Sequence, residues 1–80
     1  MTLNQLAVGQ KALIQTLNLH HPGATRLAEM GLIPGEIVTF IGKGPLGDPY
    51  RIKIMDYELC LRAQDAAAVG IQPIPTDSHR

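Results

Sequence analysis

Tryptophan is missing from this chain, which also has only one phenylalanine, two tyrosines and one cysteine, and its seven acidic side chains cancel seven Lys and Arg. Each scarcity excludes something. A lone cysteine, Cys60, cannot close an internal disulfide and fits a reducing compartment. With only Phe40, Tyr50 and Tyr57 there is little from which to build an aromatic groove for proline-rich peptides, or a platform on which single-stranded bases could stack. Lys11, Arg26, Lys43, Arg51, Lys53 and Arg62 are dispersed rather than clustered, so the phosphate-neutralising stripe of a nucleic-acid binder is missing. No apolar run approaches the ~20 residues that cross a bilayer. The first residues lack the basic start and long apolar stretch of a signal peptide, so the expectation is a soluble, cytoplasmic domain.

What is present is a foldable composition: 80 residues, of which 45% are hydrophobic and 18% charged. That is one small domain near the lower limit for a self-sufficient core. Thr2 and Gln5 have the spacing of a capping box, predicting one helical turn near the start. Residues 11–17 read as a first strand, with Ala12, Ile14 and Thr16 on one face. Residues 18–23 read as loop, with Pro22 placed to open a helix. In that helix Leu27 and Met30 share a face that Arg26 and Glu29 avoid.

Residues 36–42 form the second strand, whose two faces both carry apolar side chains, so one face calls for cover by the helix or by a partner. Residues 50–55 and 57–62 alternate as two strands of a hairpin turning at Asp56, a residue type that tolerates left-handed geometry. Residues 64–69 suggest a helical turn and 70–74 a closing strand. The expected organisation is a domain over 1–74 and a flexible polar tail over 75–80. Five short strands in so small a chain point to a closed barrel, which removes exposed edges.

Catalytic machinery is hard to find. Cys60 has no histidine placed by sequence to activate it and reads as a small hydrophobe. The carboxylates make no recognisable acid/base pair, and Gly42, Gly44 and Gly47 lack the Gly-Lys-Ser/Thr ending of a phosphate loop. Among metal-ligating side chains (His20, His21, Glu29, Asp48, Cys60 and His79), adjacent His20 and His21 are the weak candidates; adjacent histidines seldom converge on one ion, and no His-x-x-His or Cys-x-x-Cys spacing occurs. No cofactor is expected.

The informative stretch is Arg26-Leu27-Ala28-Glu29-Met30-Gly31-Leu32-Ile33-Pro34-Gly35. Gly31 stands where a helix C-cap takes a left-handed residue, and Leu32 can fold back on the last turn. Pro34-Gly35 has the signature of a type II turn. Ten residues further on comes Pro45-Leu46-Gly47-Asp48-Pro49, a loop stiffened by two prolines. Together these strings resemble the FeoA family, which carries Leu-x-x-Met/Leu-Gly-Leu-x-Pro-Gly and then Pro-Leu-Gly-Asp-Pro. Leu59-Cys60-Leu61-Arg62-Ala63-x-x-Ala66 is similar to the family's Leu-Ala-Leu-Arg-x-x-Glu-Ala, with Asp65 where the family usually has Glu. The resemblance runs from about Leu3 to Ile74.

It implies a mainly β, SH3-like barrel of about five strands with one or two short helices. It also implies a non-enzymatic role in bacterial ferrous iron uptake, on the cytoplasmic side of the transporter FeoB. The docking residues would be Arg26, Met30, Gly31, Leu32, Pro34 and Gly35 of the helix-turn, with Pro45, Leu46, Gly47, Asp48 and Pro49 of the loop. Against this stands a plainer assignment, in which Leu27, Met30 and Leu32 close one end of the core. The rival function is a transition-metal-binding module of the kind appended to metal-dependent repressors. Self-association through the second strand's apolar face stays open.

Overall fold

Alternation of apolar and polar side chains at period two writes most of the secondary structure, and the computed structural model, which describes residues 1–75, follows it closely. A 3-10 turn at Leu3–Gln5 is held by Thr2 N, which donates to Gln5 Oε1 at 2.8 Å. Then come β1 (Lys11–Leu17), α1 (Ala24–Glu29), β2 (Ile37–Lys43), β3 (Tyr50–Ile54), β4 (Tyr57–Leu61), α2 (Ala63–Ala66) and β5 (Val69–Ile74). All neighbouring strands are antiparallel, in the order β4-β3-β2-β1-β5. The tail expected from residue 75 lies, from 76 onward, outside the described residues, and so does His79.

The inward faces are those that alternation selects. Ala12, Ile14, Val38, Phe40, Ile52, Ile54, Leu61, Val69 and Ile71 are buried together with Leu3, Leu27 and Leu32. Phe40 and Tyr50 meet as tilted rings, 5.6 Å between centroids. Thr16 does not share the buried face of Ala12 and Ile14 and is exposed, because the ladder skips a residue between Ile14 and Thr16. A second shift falls between Phe40 and Gly42. Bulges of this kind bend a strand and raise its twist, and two of them curl the sheet around its core.

Two details differ from the sequence-based expectation. The sheet does not close: β4 and β5 are not hydrogen-bonded to each other. The far edge of β5 is instead met by the N-terminal segment, through a Thr2–Gly70 bridge and a bond from Ile71 N to Met1 O at 2.9 Å. Buried Leu3 and Ala66 fill the core beside this junction, so side chains from the first turn and α2 do what a fifth ladder would have done. In the β3–β4 hairpin, Ile54 opposes Tyr57 and Met55 carries the positive φ of 55°, not Asp56. A two-residue connection needs positive φ at its first central position to match strand twist, and Met55 holds that place. Cys60 is exposed, on the strand face that the alternation gives it with Glu58 and Arg62.

Candidate functional site

The helix-turn is built by its caps. Gly31 N donates to Ala28 O and Leu32 N to Leu27 O, both at 3.0 Å, while Gly31 has φ 104°. This is a complete Schellman motif, and it satisfies carbonyls that a six-residue helix would otherwise leave orphaned. The chain then turns through Pro34-Gly35, closed by Glu36 N donating to Ile33 O at 3.2 Å, with φ 97° at Gly35. Gly35 N and Ile14 O are 2.9 Å apart, which staples the turn to β1. From the hairpin side, the Tyr57 hydroxyl donates to Met30 O. A side chain at Gly31 would meet that hydroxyl at 3.2 Å and the Met55 methyl at 3.3 Å.

Leu32 is fully buried and Met30 half-buried, so neither is offered whole to a partner. The apolar side chain this segment presents is Ile33, 39% exposed, beside exposed Pro34 and Gly35. Sequence reasoning passed over Ile33 because its neighbours carried the pattern.

The loop from Gly44 to Pro49 is equally specified. Gly47 N donates to Gly44 O at 2.9 Å and Gly44 N to Pro49 O at 3.0 Å. Any side chain at Gly44 would collide with the Asp48 carbonyl. The Asp48–Pro49 peptide is cis, and Asp48 Oδ1 accepts from Ala63 N at 2.8 Å, fastening the loop to the start of α2. At the tip Leu46 is 94% exposed. A leucine held in water by a well-bonded loop loses little freedom on binding.

The two segments do not lie together. Val38 pairs with Ile54 near the helix-turn, and Lys43 pairs with Tyr50 beside the loop. They sit at opposite ends of the β2–β3 ladder, roughly 20 Å apart at ~3.3 Å per residue. Arg26 belongs with neither tip. Its guanidinium lies 3.6 Å from Asp65 Oδ2.

Asp65 is what the sequence concealed. It is only 4% exposed, yet every need of its carboxylate is met: His21 Nε2 at 2.7 Å, Arg62 N donating at 3.3 Å, and Arg26. Burial pushes the Asp65 carboxyl up, but the His21 bond, the Arg62 amide and the His21 and Arg26 charges outweigh it, leaving its pKa below the ordinary carboxylate value. These residues line an open hollow of about 370 Å³ and join the loop before α1 to α2. The Arg62–Asp65 spacing was visible; His21, 44 residues away, was not.

His21 is thus engaged by Asp65, whereas His20 is exposed. Among the described residues no three His, Cys, Asp or Glu side chains are grouped to hold a metal ion. Arg51 and Glu58 pair at 3.1 Å on the outer hairpin face. No helix among the described residues is long and apolar enough to cross a membrane.

A five-stranded antiparallel sheet with two short helices defines a small SH3-like β domain, and comparison with solved structures bears this out. A Stenotrophomonas maltophilia FeoA complexed with zinc, described as a prokaryotic SH3 domain protein, is 32% identical with a TM-score of 0.79, over 90% of this chain and 89% of that one. A FeoA-like protein from Clostridium acetobutylicum shares the fold at a TM-score of 0.89 and 22% identity, over 100% of this chain and 93% of that one. The FeoA domain family matches residues 1–73, and this chain belongs to that family. A fusion of Fe(2+) transport protein A with the Fe(2+) transporter FeoB, from Porphyromonas gingivalis, is 33% identical over 78 residues. Those residues are 98% of this chain and 9% of the fusion protein, so the chain spans about a tenth of the curated relative it matches.

Proposed function

We propose that this domain is a non-enzymatic accessory of ferrous iron uptake that docks on the cytoplasmic side of FeoB and biases its conformation or assembly. The observation that carries the reading is the fusion relative, in which a domain of this kind and FeoB occupy one polypeptide. Covalent linkage raises effective concentration, which is useful when the two parts act together. Leu46 and the Ile33–Gly35 turn supply rigid, exposed contact points. A regulator shifts an equilibrium only by binding one state better than another, so the proposed contact reads a state of the transporter. The domain would work in the cytoplasm and be recruited to the inner face of the membrane by FeoB.

The test is a footprint. Titrating the labelled domain with the cytoplasmic part of FeoB from the same organism should shift the amide resonances of Gly31, Leu32, Ile33, Gly35, Leu46, Gly47 and Asp48. Shifts confined to other regions would contradict the assignment of these two segments. The zinc-complexed relative favours a second reading, metal binding at exposed His20. Saturable micromolar Fe(II) binding that His20→Ala abolishes would support it instead.

A further inference from the structure

The outward face of the sheet carries a feature that neither tip explains. Strand register puts Lys11 opposite Thr39 and Thr39 opposite Lys53, so two lysines flank one threonine across three strands. Their Cβ atoms stand about 10 Å apart, twice the strand spacing. Both lysines are exposed, and among the described residues neither has an ion-pair partner. Glu58 faces Lys53 across the hairpin, but its carboxylate is on Arg51 at 3.1 Å. Next to this row Ile37 and Met55 are each 51% exposed. These side chains, with Gly35 and Glu36, line an open groove of about 530 Å³.

We infer that this groove is a docking surface for an acidic segment of a partner protein that carries an apolar anchor. The occupant follows from charge and shape. Two unpaired ammonium groups on either side of a hydroxyl suit a carboxylate lying between them, and the lone Glu36 leaves the groove net positive. Lysine stems extend apolar surface toward Ile37 and Met55, so one aliphatic or aromatic side chain can seat there while its acidic neighbour meets the ammonium groups. Ion pairs at such a rim speed and orient encounter, and the apolar anchor holds the complex.

The inference rests on the reading that the partner is the cytoplasmic part of FeoB, and its test separates the two. Calorimetric titration of that FeoB fragment would compare the wild-type domain with Lys11→Glu/Lys53→Glu and with Ile37→Thr, each checked for unchanged thermal melting. The expected result is at least a tenfold weaker affinity for the charge reversal at low salt, a gap that narrows at high salt, and weaker binding by Ile37→Thr. Wild-type affinity in both variants would overturn the groove while leaving the FeoB reading intact. No binding by any form would overturn both. A change of oligomeric state in the variants, without change in FeoB affinity, would make a second copy the occupant and also overturn the inference.

Discussion

Gly31 is the residue on which the helix-turn depends. Its φ of 104° suits no side chain, and the Tyr57 hydroxyl and Met55 methyl stand where a Cβ would project. Gly31→Val is expected to cost about 2 kcal/mol, from a β-branched residue forced to positive φ. Denaturant unfolding would read it as a lower midpoint at constant slope. Asp65 is the converse case. Its folded pKa is depressed, so its contribution to stability is complete above the unfolded carboxylate value near ~4 and disappears as pH falls through the folded value. Asp65→Asn should therefore destabilise by about 2 kcal/mol at neutral pH, with the gap closing under acid. A gap that does not vary with pH would mean that the carboxylate charge is not what matters. Gly31 was legible because a C-cap is local: helix, glycine and the following leucine are consecutive. Asp65 looked like a mild change from Glu because its main partner is remote in sequence.

At the scale of elements, local pattern located all five strands to within a residue or two, because apolar side chains recur at the strand period, most weakly in β4, where Leu61 alone is buried. What pattern could not supply was how they close. Period-two alternation is identical in a ring and in an open curled sheet; the outcome here is set by the N-terminal segment bridging β5. The loop between β2 and β3 tests the division between framework and contact. Its framework lies in the Gly44–Pro49, Gly44–Gly47 and Asp48–Ala63 bonds, none of which uses the Leu46 side chain. Leu46→Asp should thus move stability by no more than about 0.5 kcal/mol, as for other surface changes, while weakening partner binding. If that variant melts far below wild type, the loop tip is a packing element and its assignment to recognition fails.

For the whole molecule, the arrangement is one of fastened ends. α1 is tied near its start to α2 through His21 and Asp65, and at its finish to β4 through Tyr57 and Met30. The helix-turn and the loop consequently stand at opposite ends of a stiff ladder, and a partner that touches both must span roughly 20 Å of this surface. That is within the reach of a protein interface of ordinary size, and beyond a single short peptide motif bound at one tip. The measurement that tests the account most directly is calorimetric titration of this domain into the isolated cytoplasmic part of its own FeoB. It would be done without oxygen, once with GDP and once with a GTP analogue. Saturable binding whose affinity depends on the nucleotide is the predicted result. Absence of binding in both nucleotide states would contradict the claim that this domain docks on the cytoplasmic face of the transporter.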